Sequence, residues 1–132
     1  MNRISLIAAS VLALAAAACS SSTRAPTEPG VCHHVVQDGE EVRFNVLAED
    51  VESIEFCAAR LEEMRLNFLR LGGSTSEVMG AYQGQFIFIQ REGVYFGQTL
   101  EGGRFFALAR TGDGRLAIPG VIQREPAPEA AD

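Results

Sequence analysis

Apolar and polar positions divide the chain into four stretches. Ile4 to Ala18 carries no charge and holds Ile4, Leu6, Ile7, Val11, Leu12 and Leu14 among alanines and serines, directly after the positive start at Arg3. Ser20 to Gly30 is polar, contains Pro26, Pro29 and Gly30, and has no hydrophobic period. Such a segment buries too little surface to offset its ordering entropy and predicts a flexible tether. Residues 31–123 show alternating and helical periods and predict one folded domain. Residues 124–132 are acidic and proline-containing and predict a frayed tail. The organisation expected is therefore 1–18, an export signal; 19–30, a tether; 31–123, the domain; and 124–132, the tail.

Within the domain, Cys32 to Gln37 and Val42 to Leu47 read as strands, with Asp38-Gly39 between them as a hairpin turn. Ile54, Cys57, Leu61, Met64, Phe68 and Leu71 then recur at spacings of three and four, which places them on one helical face. Asp50 is the expected N-cap, Arg70 lies in the last turn, and Gly72-Gly73 is the stop, so a helix is predicted from Val51 to Leu71. Four further strands are expected at Tyr82 to Arg91, Val94 to Phe96, Arg104 to Arg110 and Arg115 to Ile118. Phe86-Ile87-Phe88-Ile89 is apolar on both faces and predicts a central strand. The order β-β-α-β-β-β-β predicts an α+β domain, an antiparallel meander with one long amphipathic helix packed on a face.

Charge narrows the function. The 132 residues carry 17 acids against 11 arginines and no lysine, a formal net charge of −6. That balance opposes nucleic-acid binding, which draws on a clustered basic surface. The acids concentrate from Asp38 to Glu63 and the arginines from Met64 to Arg124, so the two halves either pair across the fold or polarise its surface.

The uncharged run before Cys19 is 15 residues long, shorter than the roughly 20 needed to span a bilayer as a helix. It fits the apolar core of a secretory signal. Ala16-Ala17-Ala18-Cys19, followed by Ser20-Ser21-Ser22, resembles the cleavage region of a bacterial prolipoprotein. The resemblance implies that Cys19 receives a diacylglyceryl thioether, becomes the new N-terminus and is acylated there. Ser20 after the cysteine implies sorting to the outer membrane, with the domain facing the periplasm. Ala16-Ala17-Ala18 also reads as an ordinary A-x-A site that releases a soluble protein. Lipid on Cys19 leaves Cys32 and Cys57 as an even pair in an oxidising compartment, where a disulfide is expected.

Candidate chemistry is sparse. Cys32-His33-His34 invites a metal site, but adjacent strand residues point to opposite faces, and a Cys32, His34, Cys57 set needs reduced thiols. Ser74, Thr75 and Ser76 lack a nucleophile elbow, and Gly72-Gly73 and Gly112-Asp113-Gly114 match no phosphate loop. No catalytic residue, metal or cofactor is expected. Two helix positions break the pattern: Phe56 falls on the polar face near Arg60 and Glu63, and Arg65 falls within the apolar stripe, in reach of Glu62. Phe56, Arg60 and Glu63 are the candidate partner-binding residues. The expected function is a non-catalytic, lipid-anchored envelope module acting through protein contacts. The alternative is a binder of a small apolar or lipid ligand held between helix and sheet.

Overall fold

The structure, a computed structural model, describes residues 23–74, 77–113 and 115–119. The signal segment, Cys19 and the acidic tail lie outside the described residues. Eight elements follow one another among the described residues: β1 (Cys32–Asp38), β2 (Glu41–Ala48), α1 (Ile54–Arg70), β3 (Glu77–Tyr82), β4 (Gln85–Gln90), β5 (Gly93–Gly97), β6 (Arg104–Arg110) and β7 (Leu116–Ala117). The strands form one antiparallel sheet in the order β2-β1-β3-β4-β5-β6-β7, and α1 packs on one face. The α+β class is as expected. The strand count is not: seven form where six were expected.

The additional strand is β3. Tyr82, expected to open the following strand, closes β3 instead, and Gln83 and Gly84 make the turn into β4 with φ of 42° and 84°. Both values suit a mirror-image hairpin turn, for which Asn-Gly or Asp-Gly is the usual signal, and Gln83 conceals it. Gly80 in the middle of β3 has a packing reason. A Cβ there would overlap Leu61 Cδ1 and stand 2.9 Å from the His33 carbonyl oxygen. The bare backbone is what lets Leu61 of α1 seat on β3. Gly80→Ala is expected to destabilise the domain by about 1–3 kcal/mol through overpacking, measured as a lower urea midpoint at unchanged slope.

The helix also starts later than expected. Asp50 is not its cap; it sits at φ 55°, and the chain runs on to Ser53, whose hydroxyl accepts a hydrogen bond from Phe56 N at 3.3 Å. Val51 holds the intervening stretch, donating to Gly30 O at 2.8 Å and accepting from the Tyr82 hydroxyl at 2.5 Å. At the other end Leu71 is 88% exposed and Phe68 is 49% exposed. The expected stripe is therefore buried only in part: Cys57, Ala58 and Leu61 are fully buried, and Glu62 joins them.

Two clusters fill the sheet's faces. On the helix side Cys32, Cys57, Leu61, Ile87, Val94 and Leu108 pack together. On the second face Ala25, Val35, Ala81, Phe86 and Phe88 form the other cluster, with Phe44 and Leu100 against it. Phe86 to Ile89 is fully buried on both faces, as its pattern predicts. Arg104 lies over the Phe88 ring at 3.4 Å and pairs with Glu77 at 3.0 Å, so a guanidinium covers part of the second face.

The segment expected to be a tether is docked from Ala25 onward. Ala25 is 4% exposed, Pro26 O accepts from Gly84 N at 2.8 Å, and Gly30 N donates to Gln83 Oε1 at 2.8 Å. Backbone hydrogen bonding to a turn, together with one small buried side chain, holds a stretch whose composition predicts none of it. Among the described residues these contacts join residues 25–30 to the β3–β4 turn and the second-face cluster.

Candidate interaction site

An open groove of about 490 Å³ runs along one flank of α1, between the helix and the β6–β7 edge of the sheet. Its helical wall carries Phe56, Ala59, Glu63 and Leu66; its sheet wall carries Leu116 and Ile118. Phe56 and Glu63 lie one heptad apart, as do Ala59 and Leu66, so all four share a side of the helix. Phe56, Leu66 and Ile118 are 59%, 43% and 50% exposed, which makes the groove an apolar surface facing water. Of the candidate partner residues, the structure brings Phe56 and Glu63 to this groove. Arg60 is exposed but stands off its lining. Leu66, Leu116 and Ile118 are not legible as site residues in the sequence, because their pairing depends on β7 folding back beside the helix.

Glu62 forms the groove's floor and joins it to the core. Its carboxylate is gripped by two guanidiniums. Arg65 Nε and Nη2 each lie 3.1 Å from one of its oxygens, while Arg110 Nε and Nη2 lie at 3.0 and 2.7 Å. Burial raises the Glu62 pKa, but the hydrogen bonds and charges of Arg110 and Arg65 outweigh it and hold the carboxyl below its ordinary value. The Arg65–Glu62 contact is the one expected from helical spacing. Arg110, from β6, is the partner that only the fold supplies. Here one acid of the first half pairs with an arginine brought from the far end of the second half. Glu55 and Glu63 also line the groove, and Arg115 at its sheet side pairs with Asp113 at 3.6 Å.

Cys32 and Cys57 are bonded, with Cα atoms 5.4 Å apart, and both are fully buried. The bond ties β1 to the first turn of α1 and fixes the helix over the sheet.

The two histidines are separated by the pleat. His33 is 5% exposed beside Phe44, with ring centroids 6.2 Å apart. His34 lines a second apolar groove of about 380 Å³ with Val36, Met64 and Phe68 on the opposite flank of α1. Burial lowers the His34 pKa. The unfolded chain then takes up the proton more readily, so this contribution to stability is lost as pH falls through about 6.5. The thermal midpoint is expected to drop between pH 8 and 5.5, and His34→Gln is expected to flatten that limb.

Compared with family models, curated proteins and solved structures, the chain matches none. The functional reading therefore rests on the groove and its surroundings.

Proposed function

We propose that the protein is an exported cell-envelope module, anchored through lipid on Cys19, that acts without catalysis by binding a protein partner at the membrane. In this reading it resides at the outer membrane and faces the periplasm. The observation that supports the contact reading is the water-facing apolar groove of Phe56, Leu66 and Ile118. Exposed aromatic and aliphatic side chains gathered on one surface are the usual anchors of a protein interface. Glu55 and Glu63 on its helical wall suit a partner segment that combines apolar side chains with a basic group.

Binding of a small apolar ligand beneath α1, over the middle of the sheet, has less behind it. Leu61 seats directly on Gly80, and the Phe86 and Phe88 rings lie on the face away from α1.

The test compares Phe56→Glu with His33→Ala/His34→Ala, each shown to be folded and exported. Loss of partner crosslinking by about tenfold or more in Phe56→Glu, with the histidine variant unchanged, is expected for an aromatic anchor. Loss in the histidine variant alone overturns the reading. Ile118, half exposed on the sheet wall of the groove, is a suitable second crosslinking position. The anchor is tested by Cys19→Ala, which is expected to leave the protein exported but released from the membrane fraction. Continued sedimentation with membranes after a high-salt wash overturns it.

A further inference from the structure

Docking of residues 25–30 shortens the leash between anchor and domain. Ala25 is buried in the second-face cluster, and Pro26 and Gly30 hydrogen-bond to the β3–β4 turn. A chain held at Cys19 then has only residues 20–24 with which to bridge to the domain, not residues 20–30. The stretch from Cys19 to Ala25 can reach about 20 Å at most, whatever its conformation.

The leash enters on the sheet face opposite α1, because Ala25 packs with Phe86 and Phe88 and α1 packs with Ile87 and Ile89. A sheet with a helix stacked on it is roughly 15–20 Å deep. Laying the outer side of α1 on the bilayer demands a leash drawn nearly straight around the end of the sheet. Turning the second face to the bilayer demands no extension. A longer, undocked tether would permit both.

Resting on the lipid-anchor reading above, we infer that the docked segment orients the anchored domain. The second face, with the segment from Ala25 and the β5–β6 loop, turns to the bilayer, and the groove beside α1 turns to the aqueous side. The occupant of the groove is then a protein segment presented in water, at the height of one domain above the membrane, and not an acyl chain or a membrane-embedded span. The carboxylates of Glu55 and Glu63 on the groove wall remain solvated in this orientation.

The chain contains no tryptophan, so one introduced indole reports without background. Full-length lipidated protein is reconstituted on phosphatidylcholine vesicles that contain a dansyl-headgroup lipid. Energy transfer is then measured from Glu101→Trp, beside Leu100 on the second-face side, and from Phe56→Trp in the groove. Both positions are exposed, so each variant retains the core. Transfer from Glu101→Trp is expected to exceed that from Phe56→Trp by about twofold or more, and a Gly/Ser insert after Thr23 that roughly triples the leash is expected to erase the difference. Equal transfer in protein that floats with the vesicles, or stronger transfer from Phe56→Trp, overturns the orientation and leaves the anchor intact. Mass measurement of the N-terminal peptide reads the anchor separately. Absence of lipid on Cys19 overturns the anchor reading and the orientation together.

Discussion

Glu62→Ala is expected to destabilise the domain by about 1.5–3 kcal/mol, the cost of leaving two partly buried cationic partners without their anion. Arg65 and Arg110 have side chains only 11% and 17% exposed, and one carboxylate serves both. Removing it leaves two partly buried guanidiniums beside each other at the floor of the groove, with Arg110 Nη1 keeping its bond to the Arg91 carbonyl. For a domain of this size, each 1 kcal/mol moves the thermal midpoint by roughly 4–8 °C. The fall is therefore measurable by calorimetry or circular dichroism, and it consumes a large share of an ordinary stability of about 5–15 kcal/mol. Glu62→Gln keeps the side-chain volume and one acceptor oxygen, and is expected to lose less. An Arg110→Met/Glu62→Leu pair removes one of the two stranded guanidiniums and leaves Arg65, and is expected to recover part of the loss. Equal stability of the wild type and Glu62→Ala would mean that the fork contributes nothing.

The same carboxylate has a pH signature of known sign. Its folded pKa lies below the ordinary value of 4.5, so its contribution is present above that pH and is lost as pH falls through the folded value. That limb lies well below the window in which His34 acts, and the two separate in a pH series of thermal midpoints.

The second large effect is expected from the disulfide. Cys32 and Cys57 are 25 positions apart, and closing a loop of that length is worth about 3.5 kcal/mol in chain entropy. Cys32→Ala/Cys57→Ala should lower the urea midpoint accordingly. Because both sulfurs are fully buried, dithiothreitol is expected to reduce the native protein only through global or near-global opening. Thiol release should then follow the unfolding equilibrium and speed up with urea. Rapid labelling of both residues in the folded protein without reductant would show that the bond is absent.

Much of the fold is legible in the amino-acid sequence, and the reason is local. The first hairpin, whose turn falls at Gly39-Glu40 one residue past the expected Asp38-Gly39, the helix through Leu61 and the doubly apolar β4 each announce themselves by signals that depend on nearest neighbours alone. Gly39 at φ 62° adopts the backbone that its turn requires. What the sequence hides has a distant cause. β3 reads as loop because Gly80 and Ala81 lack strand propensity, and Gly80 is small because Leu61, nearly twenty positions earlier, lands on it. Ala25 reads as tether because one alanine among polar residues carries no period; its burial comes from a sheet built by residues ten to sixty positions later.

The candidate site divides in the same way. Phe56 is visible as a residue out of place on a helical wheel, with Glu63 beside it, and the Arg65–Glu62 pair as a spacing of three. Arg60 shares their exposure but not their groove, since a wheel gives direction around an axis and not what stands opposite. By itself the sequence determined the class of fold, the cysteine pair and the outward position of Phe56, all of which follow from short-range periodicity and from counting. Only the tertiary structure decided that Arg110 closes the fork on Glu62, that β7 completes the groove with Ile118, and that the chain from Ala25 is strapped to the second face. Each of these joins residues far apart in the chain, and such contacts depend on the path of the whole sheet rather than on the preferences of any one segment.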